Sequence, residues 1–137
     1  MRRLFVDTFY LVALLYRRDA WHDRVVIFSQ TLSSDDTLLT TDAILVEFLA
    51  ALSNKGQHLR QEAATTTRNL LERPNVTVIP QDRMLLLEGL NLYERRPDKE
   101  YSLTDCISMQ VMRRDGITEV LTNDHHFAQE GFRVLFS

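Results

Sequence analysis

Four acids stand where a solvated surface charge is not the obvious explanation: Asp7, Glu47, Asp105 and Asp124. Asp7 ends the apolar run Leu4-Phe5-Val6, and Asp124 follows Val120-Leu121-Thr122 after a single asparagine. If both runs are strands of an open parallel sheet, these acids lie just outside the carboxyl ends, where such sheets bind ligands. Glu47 and Asp105 fall on segments with helical periodicity. Carboxylates gathered without Lys or Arg raise one another's pKa and repel unless a hard cation joins them. Oxygen donors suit Mg²⁺ or Mn²⁺, so the pattern points to metal-dependent phosphodiester chemistry.

Three of the acids have a competing structural explanation. Asp7 and Asp124 precede helical segments and could be N-caps, and Asn123-Asp124 is also turn chemistry. Ser102-x-x-Asp105 has the spacing of a capping box. Glu47 has less excuse. It sits mid-helix between Val46 and Phe48, with Ala43 and Ala51 a turn to either side and no basic residue at i+4. An unpaired buried carboxylate there would cost several kcal/mol or shift its pKa upward. Glu47 is therefore expected to need a counter-charge, the alternative being a place at the edge of the apolar stripe.

The elements that must position these acids alternate. Strands are expected at Leu4–Val6, Thr37–Thr41, Val76–Ile79, Glu119–Thr122 and Phe132–Phe136. Helices are expected at Thr8–Arg18, Trp21–Leu32, Ala43–Asn54 (capped by Asp42), Gln57–Arg73, Asp82–Arg95 and Ser102–Arg114, with a short turn of helix from His125. Gly56 and Gly116 are the stops. Strands alternating with helices predict βαβ units: an α/β fold with a mainly parallel sheet of about five strands flanked by helices.

The 137 residues are expected to form one domain over 1–137. With Cys106 the only cysteine, no intrachain disulfide exists, and a cytoplasmic protein is the default expectation. The apolar stretch Phe9–Tyr16 is far shorter than the ~20 residues a membrane helix needs. Net charge is −3, which gives no global attraction to nucleic acid. Positive charge is nearly all arginine, in pairs at Arg2-Arg3, Arg17-Arg18, Arg95-Arg96 and Arg113-Arg114. Guanidinium forks suit phosphate, but any single pair reads first as a solvated helix end. Cys106 reads as a small core residue, and His125 and His126 as surface residues.

The stretches Phe5-Val6-Asp7-Thr8, Thr41-Asp42-x4-Glu47, Ser102-Leu103-Thr104-Asp105-Cys106-x-Ser108 and Leu121-Thr122-Asn123-Asp124-x2-Phe127 resemble the PIN-domain ribonucleases. They look especially like the single-domain VapC-type toxins of toxin–antitoxin pairs. The resemblance covers essentially the whole chain. It implies that Asp7, Glu47, Asp105 and Asp124 form the family's acidic quartet binding Mg²⁺ or Mn²⁺, with Thr104 supporting the site by hydrogen bonding. It also implies an RNA substrate, a cognate small antitoxin and a homodimer. Tyr16, Trp21 and Phe28 are large groups on early helices that need not all face the sheet, so they are the expected dimer contacts, the alternative being that they pack in the core. Attack by water on phosphorus would leave a 5′-phosphate and a 3′-hydroxyl, with one or two ions lowering the water's pKa. The rivals are a flap nuclease, for which the chain has no added arch or basic clamp, a housekeeping nuclease without antitoxin, and a catalytically idle RNA- or partner-binding module.

Overall fold

The computed structural model describes all residues, 1–137, and its centre is β1 (Arg3–Val6). Leu4, Phe5 and Val6 of this strand are all buried. A continuous apolar run suits a strand covered on both faces, as the strands of parallel sheets are. The chain then makes α1 (Thr8–Leu15), α2 (His22–Ser29), β2 (Thr37–Thr41), α3 (Asp42–Leu52), α4 (Gln57–Glu72) and β3 (Val76–Ile79). It continues through α5 (Arg83–Arg95), α6 (Leu103–Asp115), β4 (Glu119–Leu121), α7 (His126–Gln129) and β5 (Arg133–Val134).

All four strand pairings are parallel and the order is β3-β2-β1-β4-β5. Successive connections therefore move one way from β1 to β3, then return past β1 to β4 and β5. The direction reverses between β1 and β4, and the loops leaving their carboxyl ends diverge there. Such a switch point is where open α/β sheets form their binding crevice. Around the sheet, α1 packs against α2, α3 and α4, and α5 packs against α6. Close approach of that last pair is possible because Gly89 has no side chain. A Cβ there would lie 2.5 Å from Ile107 Cγ1 and 3.3 Å from the Ile107 nitrogen.

Several expected boundaries shift for identifiable reasons. Helix α1 stops at Leu15, short of Arg18. The Asp19 carboxylate accepts the Trp21 N–H at 2.8 Å, and the Asp19 N–H bonds the Tyr16 carbonyl at 3.0 Å. These local bonds compete with helix propagation. The cap of α3 is Thr41, whose hydroxyl accepts from the Ile44 N–H, while Asp42 accepts from Gln81 at the end of the neighbouring strand. Strand β5 is short, although Leu135 and Phe136 still bond to Val120 and Thr122.

Trp21 and Phe28 do not form an outer face. Trp21 packs on Phe9 and Phe136, Phe28 packs on Tyr10 and Phe136, and Tyr16 packs against the same core. Four of the exposed large apolar groups, Met84, Leu87, Leu90 and Tyr93, lie together on α5, while Ile27 on α2, Val46 on α3 and Leu71 on α4 stand singly. No helix is long and apolar enough to cross a membrane.

Candidate metal and active site

Register builds the centre of the site. Val6 pairs with Leu121, so one step beyond the paired strands Asp7 meets Thr122. The fully buried Thr122 hydroxyl donates to Asp7 Oδ2 at 2.7 Å and accepts from the Asp124 N–H at 3.2 Å. One threonine thus ties the acids of β1 and β4 together. Asp7 occupies the N-cap position of α1, yet its side chain makes no cap hydrogen bond. The simplest structural explanation for this aspartate is therefore absent.

Helix α3 brings Glu47 to the same place. Thr8, the first residue of α1, donates its hydroxyl to Glu47 Oε1. Glu47 is exposed, not shielded as its sequence neighbours suggested. Val46 is 67% exposed beside it, so this stretch of α3 lies outside the apolar stripe. Its role cannot then be argued from burial, only from proximity to the other acids.

Asp105 enters from α6, and here the capping explanation holds as well. The Ser102 hydroxyl accepts from the Asp105 N–H at 3.0 Å, and Asp105 Oδ2 accepts from the Ser102 N–H at 3.1 Å. That bond fixes one carboxylate oxygen and orients the other. Asp124 Oδ1 accepts the His126 N–H at 2.9 Å. His126 is half-buried, with Nδ1 3.2 Å from Asp124 Oδ1, and is not the surface residue expected. Ligand atoms of Asp105, Asp124 and His126 all lie within 4.8 Å of one another.

Electrostatics join all four acids. Burial pushes the Asp7 carboxyl up to about 7, against the lowering effect of the Thr122 hydrogen bond, and Asp105 and Glu47 push it further. The Asp105 carboxyl is also raised, first by burial, with Asp124 and Glu47 adding to it. None of the four is paired with a Lys or Arg. A divalent cation fits this donor set, because it supplies the one missing partner and carboxylates are its ordinary ligands. Neither of the two large clefts, of about 820 and 600 Å³, includes any of these acids.

Sequence reasoning missed two supports. Thr104 makes no side-chain hydrogen bond to the acids; besides Thr8 on Glu47, the hydroxyl that reaches one is that of Thr122, which register alone would reveal. Behind His126, the Tyr101 ring lies 5.3 Å away edge to face, and its hydroxyl donates to Glu130 at 3.1 Å. Glu130 is nearly buried and receives Arg96 at 2.5 Å and Arg113 at 2.6 Å. This network ties the loop before α6, α6 itself and α7 to one carboxylate. Its partners lie far apart in sequence, so no local motif announces it.

The PIN domain family profile matches residues 4–132. Among solved structures, the VapC20 toxin of Mycobacterium tuberculosis, described as cleaving the sarcin–ricin loop, superposes with a TM-score of 0.85. It is 25% identical, over 98% of this chain and 99% of that one. FitAcB from Neisseria gonorrhoeae gives a TM-score of 0.64 at 17% identity, covering 98% and 96% of the two chains. VapBC2 of Rickettsia felis, bound to a DNA fragment from its promoter, gives 0.63 at 12% identity, over 96% of each chain. These last two likenesses concern the fold alone. No curated protein matches the sequence. With its profile matched almost end to end and its acids gathered at the β1–β4 switch point, the chain belongs to the PIN-domain family.

Proposed function

We propose that this protein is a metal-dependent endoribonuclease acting as the toxin of a toxin–antitoxin pair. The observation that carries the chemistry is the set of four mutually repelling acids, each from a different part of the chain, with no basic partner. Asp7, Glu47, Asp105 and Asp124 would hold Mg²⁺ or Mn²⁺, with His126 beside Asp105 and Asp124. The ion supplies Lewis acidity and charge neutralisation for phosphodiester hydrolysis. Thr122 holds Asp7 in orientation, and Ser102 does so for Asp105. Thr8 orients Glu47, and the Tyr101–Glu130 network backs His126.

VapC20 is described as a sarcin–ricin loop cleaving toxin, so ribosomal RNA is the substrate to try first. A small antitoxin is the expected partner, as in the VapBC and FitAB assemblies. A second copy of the chain is the natural cover for the apolar face of α5. An idle binding module is disfavoured because nothing in simple RNA binding requires a buried, uncompensated carboxylate such as Asp7.

The test is cleavage of ribosomal RNA by the purified protein in Mg²⁺ or Mn²⁺, against EDTA and against Asp7→Asn. Fragments with 5′-phosphate ends, lost in EDTA and in the variant, are expected. Metal-independent cleavage leaving cyclic phosphates, or near wild-type cleavage by Asp7→Asn, would overturn the assignment. Sequencing the 5′ ends would also give the target site.

A further inference from the structure

The Arg17-Arg18 pair is the cation cluster that the site leaves unused. In the other three arginine pairs at least one guanidinium meets an acid. Arg2 binds Asp36, Arg96 and Arg113 bind Glu130, and Arg114 meets Asp115. Neither Arg17 nor Arg18 has a hydrogen-bond or ion-pair partner, and both are exposed. They line a cleft of about 820 Å³ together with Lys55 and His58. The one acid there is Glu62, already engaged by His58 at 3.2 Å. Lys55 has no carboxylate either, its ammonium lying 5.2 Å from the Tyr16 ring centre. On a chain of net charge −3, three uncompensated cations in one concavity stand out.

The cleft is in line with the acidic site. Helices α1 and α3 run side by side in the same direction, as contacts at both ends show. Thr8 meets Glu47 at the acidic end, and Tyr16 meets Lys55 at the other, the same number of residues along each chain. At 1.5 Å per residue the two ends are roughly 12 Å apart, a distance that a few nucleotides span. We propose that the Arg17, Arg18 and Lys55 cleft binds backbone phosphates of the RNA strand whose scissile bond lies over the acids. The proposal rests on the ribonuclease assignment and extends it to how the strand is held. Four acids repel a polyanion, so a cationic anchor off to one side would oppose that repulsion without entering the metal site. The competing explanation is that these cations only complement the carboxyl ends of α1 and α3.

The experiment measures binding of a fluorescein-labelled single-stranded RNA by anisotropy, in the Asp7→Asn background with Mg²⁺, at several salt concentrations. The test protein adds Arg17→Ala, Arg18→Ala and Lys55→Ala. A control removes the same charge elsewhere, with Arg68→Ala, Arg83→Ala and Arg95→Ala. The cleft variant should bind at least about tenfold more weakly at low salt, with the slope of log K against log salt reduced by about 2, near 0.7 per lost contact. The control should keep most of its affinity. Because binding is read without cleavage, this result is separable from the cleavage test of the wild-type protein. Equal affinity and slope in the two variants would overturn the proposal. So would unchanged RNA binding with loss of polyglutamate binding, which would give the cleft to an acidic protein partner.

Discussion

Asp7 shows most clearly how placement creates chemistry. Its carboxyl rises from 3.8 to about 7 on folding, chiefly through burial. Between these values the folded state holds a proton that the unfolded chain has released. Stability of the metal-free protein therefore falls as pH climbs from about 4 to about 7, and is unaffected by this group below that window. Asp7→Asn removes the penalty. In EDTA at pH 8 the variant should gain up to a few kcal/mol in denaturant unfolding, and at pH 4 almost nothing. Equal stability of the two proteins at both pH values would contradict the burial of this acid. Thr122 opposes the same shift. Thr122→Val deletes a hydroxyl that stabilises the charged carboxylate, so the acidic limb of the cleavage–pH profile should move to higher pH. The lost bonds should also cost about 1–3 kcal/mol. Thr104→Ala should do neither, which distinguishes the threonine beside Asp105 in sequence from the one beside Asp7 in space.

At the scale of elements, the α5–α6 pair decides whether Asp105 arrives in place. Gly89 lies against the Ile107 side chain and backbone, two residues from Asp105 on α6. Gly89→Ala would add helix propensity worth about 1 kcal/mol. It must also push the helices apart, an overpacking cost of typically 1–3 kcal/mol. The expected net result is a lower melting temperature together with weaker metal binding, measured by calorimetric titration with Mn²⁺. A variant with raised stability and unchanged Mn²⁺ affinity would show that the contact yields easily. The capping box at Ser102 acts at the same scale, since it both starts α6 and fixes one oxygen of Asp105.

At the scale of the whole molecule, charge and apolar surface divide the protein into faces. The four acids gather near the switch point, three unpaired cations line the cleft at the far end of α1 and α3, and four exposed apolar groups lie along α5. Leu87 is 51% exposed and Met84 64%, on a helix whose other face is buried. A large exposed apolar patch ordinarily marks an interface. Leu87→Glu should convert a dimer to a monomer in light scattering at micromolar concentration, while the folded domain persists by circular dichroism. A wild-type mass of one chain would remove the dimer from the account. Trp21→Ala should act quite differently, destabilising by about 3–5 kcal/mol through the aromatic cluster with no specific effect on association.

The alternation of apolar runs with amphipathic segments was enough to place five strands and the helices between them, because burial on both faces demands continuous β-branched and aliphatic stretches. The four acids were legible for a related reason: two follow apolar strands at the edge where parallel sheets bind ligands, and two lie on helical segments with no basic residue placed to pair with them. Asp7 rewarded that reasoning, since it lies at a cap position and caps nothing. Glu47 did not, because helical periodicity fixes which residues share a face but not which face meets solvent. Only the tertiary structure could show that Thr122 supports Asp7, since that pairing depends on parallel register between strands more than a hundred residues apart. The same holds for His126 behind Asp124, for the Glu130 network, and for the lone arginine pair left without acids. Local sequence dictates what a segment can form. Which side chains meet is decided by strand order and register, and those emerge only when the whole core packs.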